Sequence, residues 1–472
     1  MGCNKDRLYL DCMAVHPEVT GSSNQQVVKL PNGQTIQFVV DCGLFQGEYP
    51  ELNRILRYKP ENLDFALVTH NHVDHTGRLP LLAKKGFRGN IYTSKDTATL
   101  MPTALEDSQK ILREVSKKSG EKVLYDETDL LKTEALVSPM NFYETKKIND
   151  FVEITFLKNG HLLGAALILV QVKYPEYEPI NLLFTGDYNN KNMFFDVPPI
   201  PEWILDLPLT VVIESTYGDM ESSNMKPVFE ENVLKYIQNQ GTVVAPVFSL
   251  GRSQEILYVV KHMQDSGELD KSVQIYFDGK LAIKYTNMYL KEGLLDIKPE
   301  MRDFLPENLT FVNKANRAEV LENNDRKIIL TSSGMGSYGP AQLYIPRFIR
   351  DKNSLIHFTG YTSDDTLGGR LKNTNKGEDV EVGGLMVKKL ADVEYTREYS
   401  AHAKADELIA FLKQFKNLKL VLVNHGNENV KQKFAKRILN EVNPKDVGIL
   451  GGDYFFRVNP YGLVKTLPSK FK

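Results

Sequence analysis

Hydrophobic and polar positions fall into short blocks along this chain, and the period of the blocks changes part-way. Early on they are strand-like. Val27 to Leu30 and Thr35 to Val40 flank Pro31-Asn32-Gly33, a hairpin signal. Asp64 to Thr69 predicts a buried strand, and Gly77 to Leu82 predicts a turn entering a helix. Glu153 to Lys158, Ala165 to Val172, Ile180 to Phe184 and Val211 to Ile213 predict further strands, while the charged stretch from Lys95 to about Asn141 predicts helix. Beyond Gly218, helices at Pro227 to Gln238, Arg252 to Met263 and Ala282 to Lys291 alternate with strands at Thr242 to Ala245, Val273 to Phe277 and Lys327 to Leu330, and a helix follows Pro340. Such alternation predicts a doubly wound parallel sheet. Gly360 to Arg370 reads as a polar, flexible segment closing that module, and Leu385 to Leu390 resumes strand character. A helix striped by Leu408, Phe411, Leu412 and Phe415, capped by Ser400, then precedes a strand at Leu418 to Val423 and a helix at Val430 to Leu439.

The strand ends carry the chemistry. His70-Asn71-His72-Val73-Asp74-His75 places three imidazoles and a carboxylate on the loop after the strand ending at Thr69, in a chain with only nine histidines. In extended chain His70 and His72 point the same way, and Asp74 and His75, one turn later, can face the same cavity. Imidazole nitrogen and carboxylate oxygen are the donors zinc takes, and four of them exceed what one catalytic ion needs, which points to a two-metal centre. Asp41 ends its own strand and is read either as a partner orienting a metal-bound histidine or as an ordinary turn aspartate. His161, in Asn159-Gly160-His161, and Asp187, in Thr185-Gly186-Asp187, also sit at strand ends. In the alternating module, the small-residue turns Phe248 to Arg252 and Ser332-Ser333-Gly334 suit a phosphate, or are simply tight turns.

Composition narrows the classes. A chain of 472 residues exceeds one core and predicts two domains. Hydrophobic content of 42% and mean hydropathy of −0.32 are those of a soluble globular protein. The most apolar stretch, Leu162 to Val172, is too short to span a bilayer and is broken by Gln171. No signal segment is visible, and Asp6 stands where a myristoylation motif wants Ser or Thr. Cys3, Cys12 and Cys42 have neither ligand-like nor disulfide-like spacing, so the cytoplasm is the expected compartment, with no membrane partner. The net charge of −2 gives no global field for nucleic acid, so a polyanion must be held by a local groove.

The hexapeptide resembles the HxHxDH signature of the metallo-β-lactamase superfamily, and the further motifs, in order over nearly the whole chain, resemble its β-CASP branch of metal-dependent nucleases. That resemblance implies an α/β fold: an αββα sandwich with an inserted doubly wound parallel-sheet domain. The expected layout is residues 1–207 and 373–472 for the lactamase-like domain and 208–372 for the insert. It implies two zinc ions, the first on His70, His72 and His161, the second on Asp74, His75 and His425, with Asp187 bridging. Glu214, His402 and His425 match the branch's three late motifs, and RNA-processing members carry histidine at the third. Arg252, Ser332, Ser333 and Arg370 match substrate-facing positions. Two departures stand out: Lys404 and Asn427 occupy places where the family has carboxylates.

The expected activity is hydrolysis of RNA phosphodiester bonds by a two-metal-activated hydroxide in the cleft between the domains, with single-stranded RNA as partner and a homo-oligomer left open. The catalytic residues are then Asp74, His402 and Glu214, with His402 protonating the leaving oxygen and Glu214 orienting it and raising its pKa. A small-molecule lactonase or thioesterase needs no parallel-sheet insert between Asp187 and His402. A catalytically silent RNA-binding scaffold is expected to have lost ligands, and none is lost here. No appended RNA-binding domain is expected after residue 440.

Overall fold

Period-two burial in the strands, with apolar side chains alternating inward, builds two sheets that share one core. The computed structural model describes residues 7–14, 20–46, 50–222, 228–362, 364, 366–396, 399–451 and 453–468. Cys3 and Asp6, and Ser363 and Asp365 of the Gly360 to Arg370 segment, lie outside the described residues. By its internal contacts the chain divides into two units, Met1–Ser223 with His402–Lys472, and Asn224–Ala401.

In the first unit an eight-stranded sheet runs in the order Gly462–Pro468, Tyr454–Asn459, Tyr9–Ala14, Asn24–Lys29, Thr35–Val40, Phe65–Leu67, Asn90–Ser94, Val137–Met140. A seven-stranded sheet runs Asp446–Ile449, Leu418–Val423, Leu209–Ile213, Ile180–Phe184, Ala166–Val172, Val152–Lys158, Thr145–Lys147. Leu10, Phe38 and Phe65 of one sheet and Phe156, Ile168, Phe184 and Leu422 of the other meet in one core. Helices Leu79–Lys84, Lys95–Ser119 and Glu127–Leu136 lay Leu82, Met101, Leu105 and Leu130 on the outer face of the first sheet. Helices Ala405–Leu412 and Glu428–Glu441 lay Leu408, Phe411, Phe434 and Ile438 on that of the second. This is the αββα sandwich that the sequence led us to expect. Each fully buried Leu or Phe contributes roughly 1.5–3 kcal/mol, so stability resides in the layers and the strand-end loops are free to carry function.

The second unit has an all-parallel six-stranded sheet, ordered Leu309–Val312, Gln274–Asp278, Lys327–Thr331, Thr242–Pro246, Ser354–Phe358, Asp392–Tyr395. From Thr242–Pro246 the chain passes to one side of the sheet, and from the adjacent Lys327–Thr331 it passes to the other. Doubly wound sheets bind ligands at the carboxyl ends of such a strand pair.

Three local expectations are corrected. The stretch Lys95 to Asn141 is two helices and a strand: Gly120, at φ +75°, ends the first helix, Asp126 starts the second with a capping box, and Val137–Met140 joins the sheet. Ser400 does not cap the following helix, which begins at Ala405 with Lys404 at its N-cap. Gly360 to Arg370 is not irregular throughout, because Thr366 caps a helix at Leu367–Asn373 by accepting from the Gly369 N–H. Among the described residues, no helix is long and apolar enough to cross a membrane.

Candidate active site

The hexapeptide leaves the strand Phe65–Leu67 extended and then closes into one helical turn, Val73–Thr76. The turn rotates Asp74 and His75 away from His70 and His72, splitting the motif into two ligand sets. In the first set, His70 Nε2 lies 3.2 Å from His72 Nδ1, and His161 Nε2 lies 3.1 Å from that same atom. Asp187 Oδ2 is 3.5 Å from His70 Nε2 and 3.6 Å from His161 Nε2. Two nitrogens bound to one zinc at about 2.0–2.1 Å with tetrahedral angles stand about 3.3 Å apart, which is close to this spacing. In the second set, Asp187 Oδ1 is 3.1 Å from His425 Nε2 and 3.3 Å from His75 Nε2, and Asp74 Oδ2 is 3.7 Å from the latter.

The buried His75 Nε2 and Asp187 Oδ1 have no hydrogen-bond partner among the described residues. Orphaned buried polar atoms cost about 1–3 kcal/mol each, and a cation held by the second set would satisfy both. The residues present therefore fit metal ions.

Several ligands are oriented from behind. Asp41 Oδ2 accepts from His75 Nδ1 at 2.8 Å, and its two oxygens also accept from the Thr69 N–H and hydroxyl, each at 2.8 Å. Thr69 Oγ1 further lies 3.0 Å from His70 Nδ1, so one threonine braces both sets. Asn159 holds the His161 loop to the Asp187 loop: its side-chain oxygen accepts from the His161 and Asn189 amides, and its nitrogen donates to the Thr185 and Asp187 carbonyls. Sequence reasoning missed Thr69 and Asn159, although each abuts a motif it had singled out. Asp41, at φ +62°, and His425, at φ +47°, occupy the left-handed region, a strain that persists where the surroundings impose it.

Electrostatics divides the imidazoles. Burial holds His70 well below the usual range and pushes His72 down to about 4, so both are neutral, the form that binds a metal. Burial also opposes a charge on His75, but Asp187, Asp41 and Asp74 outweigh it and hold that group well above its ordinary value. For Asp187, burial is outweighed by His425, His75, His402 and His70, and its carboxyl lies well below the usual range. So many buried carboxylates around one point create a negative potential that calls for a cation.

His402 stands beside this centre, with Nε2 3.8 Å from Asp187 Oδ2 and Nδ1 3.0 and 2.9 Å from the two oxygens of Glu214. Burial works against its protonation, yet Glu214 and Asp187 together raise its pKa. Lys404 acts in the opposite sense and is outweighed. The lysine ammonium is turned away, donating to the His402 carbonyl at 2.8 Å over the Tyr217 ring. Asn427 takes the N-cap position of helix Glu428–Glu441 without a side-chain cap bond.

In the second unit the turns after Thr242–Pro246 and Lys327–Thr331 meet, because a Cβ on Gly334 would strike the Phe248 ring. Arg252 begins the helix after the first of these turns, and Ser332 and Ser333 lie in the second. Arg370 is exposed on the helix whose Gly368 amide donates to the Met335 carbonyl of the same loop. Arg252 is only 7% exposed, with Nη1 3.3 Å from Glu255 Oε2, and its Nε and Nη1 have no hydrogen-bond partner among the described residues.

Residues 21–156 match the metallo-β-lactamase superfamily, 253–371 the Beta-Casp domain, and 386–447 the Zn-dependent metallo-hydrolase RNA specificity domain. The chain belongs to the β-CASP branch of the metallo-β-lactamase superfamily. The donor sets fit the metallo-hydrolase description of the matched models. Among the chain's relatives, transcription termination factor FttA of Methanosarcina mazei is 29% identical over 83% of this chain and 63% of its own length. The RNase J-like protein of Methanocaldococcus jannaschii is 28% identical over 85% and 89%. Endoribonuclease ysh1 of Schizosaccharomyces pombe is 29% identical over 73% and 44%. The chain thus spans less than two thirds of the termination factor and most of the RNase J-like protein.

Proposed function

We propose that this β-CASP hydrolase is a two-zinc ribonuclease acting on single-stranded RNA. The observation that carries the reading is the convergence of His70, His72, His161, His75 and His425 on Asp187, with Asp74 against His75 and the His402–Glu214 pair beside them. The ribonuclease names of its relatives support RNA as the substrate.

The bound ions would supply a hydroxide at neutral pH and offset the phosphodiester's charge. His402, kept in its proton-donating form by Glu214, delivers a proton to the leaving oxygen from Nε2. Glu214 fixes the ring through Nδ1 and cannot swing away, because the Tyr188 and Thr216 amides donate to its oxygens. In the second unit, the open donors of the buried Arg252, and Ser332, Ser333 and the exposed Arg370, suit phosphate groups of a bound RNA.

The test has two arms. Protein purified without chelator is assayed for zinc, with about two ions per chain expected, and is then incubated with end-labelled single-stranded RNA and DNA. Shortened RNA with intact DNA supports the reading. Bound metal with no RNA cleavage returns a small-molecule hydrolase, and zinc near zero under zinc-replete conditions returns a scaffold.

A further inference from the structure

Arg78, three residues beyond the hexapeptide, is fully buried and belongs to no ligand set. Its guanidinium donates from Nε to the Gly43 carbonyl, from Nη1 to the Leu52 and Ile55 carbonyls at 3.3 and 3.0 Å, and from Nη2 to the Gly21 carbonyl at 3.4 Å. The same group lies 4.6 Å from the centre of the Phe45 ring. One cation therefore gathers the backbone of three separate loops. A planar fork of donors can do this, whereas a point charge cannot.

Two of those loops grip the second ligand set. The Ser22 amide donates to the Asp74 carbonyl at 2.9 Å, Cys42 to that of His75 at 2.8 Å, and Leu44 to that of Val73 at 2.9 Å. The loops are tied to one another by the Gly43 amide on the Ser22 carbonyl and the Gly21 amide on the Leu44 carbonyl. Gly43 passes so close that a Cβ there would overlap the Asp74 carbonyl. The strained Asp41, which holds His75 by its ring, directly precedes Cys42, whose carbonyl accepts from the Arg78 amide. The first set has a support of its own in Asn159, behind the His161 loop, while Thr69 behind His70 is shared with the second set through Asp41.

We propose that Arg78 is a positioning residue of the second metal site: by drawing together the Gly21, Gly43, Leu52 and Ile55 carbonyls, it sets the amide spacing that fixes Asp74 and His75. The proposal rests on reading Asp74 and His75 as ligands. Arg78→Lys keeps the charge and loses the fork. Zinc is withdrawn by a chromophoric chelator from the wild type, from Arg78→Lys, and from Arg78→Lys combined with either His161→Ala or His425→Ala, with melting followed in parallel. Arg78→Lys should hold one ion as the wild type does and the other ~10-fold or more weakly, the usual effect of a lost partner behind a ligand. Combined with His425→Ala, it should bind its remaining ion as His425→Ala does alone; combined with His161→Ala, it should weaken the ion that His161→Ala retains. Equal weakening of both ions, unchanged binding of both, or failure of Arg78→Lys to fold overturns the proposal and leaves Arg78 a residue of general stability. A wild type that does not bind two ions instead removes the ligand reading beneath it.

Discussion

Replacing His402 by alanine is the most direct probe of the reaction. The imidazole is clamped at Nδ1 by both oxygens of a carboxylate that is 2% exposed, and its Nε2 faces Asp187. It belongs neither to the His70, His72 and His161 set nor to the Asp74, His75 and His425 set, so its removal should leave two ions bound and RNA affinity nearly unchanged. The hydrolysis rate should fall by ~100-fold or more, the usual worth of one general acid and about 2.7 kcal/mol of barrier. Glu214→Gln keeps an acceptor at Nδ1 but removes the charge that raises the His402 pKa. A raised pKa keeps the acid form present below it and loses that form as pH climbs through it. In Glu214→Gln the fall in rate on the basic side should therefore begin at lower pH. If the pair acts as one device, the double variant should be no slower than His402→Ala, the non-additivity expected of coupled groups. The assay is single-turnover cleavage of end-labelled RNA across pH, with metal content and RNA binding measured on the same preparations. A His402→Ala rate within a few-fold of wild type would refute the assignment. A rate lost together with an ion would make His402 a ligand instead.

His425→Ala should lose the second ion, retain the first, and recover part of its activity in excess metal, as read by elemental analysis and cleavage. Arg252→Ala should weaken RNA binding about tenfold at low salt, the worth of a charged hydrogen bond, with metal content intact; unchanged affinity would mean that the turn is only structural. His357 is fully buried in the strand Ser354–Phe358, its ring nitrogens have no hydrogen-bond partner among the described residues, and burial lowers its pKa from 6.5 to about 4. The folded chain thus resists a proton that the unfolded chain accepts. Its stability contribution is complete above the unfolded value near 6.5 and declines as pH falls towards 4. The loss should reach about 3 kcal/mol, at about 1.4 kcal/mol per tenfold change in proton affinity. Denaturant unfolding of wild type and His357→Leu between pH 4 and 7 should show that much less acid sensitivity in the variant.

What the sequence determined by itself was local. The hexapeptide was legible because its donors lie within six residues at the end of an apolar run, and the period change beyond Gly218 announced the parallel sheet. Asp187 and His161 were legible as strand-end residues beside glycines. Their grouping into sets could be taken only from a resemblance, because ligand sets depend on which strands become neighbours. Tertiary structure decided the rest. It chose between the two readings of Asp41, bringing it to His75 across 34 residues, and it joined Glu214 to His402 across 188. It turned the Lys404 ammonium onto the His402 carbonyl. It also buried Arg78, which the sequence did not mark, and Arg252, which the resemblance placed among substrate-facing positions. Side-chain periodicity is set by neighbours along the chain and can be read there. The direction and burial of a charge are set by sheet order and register, and these exist only once distant strands have paired.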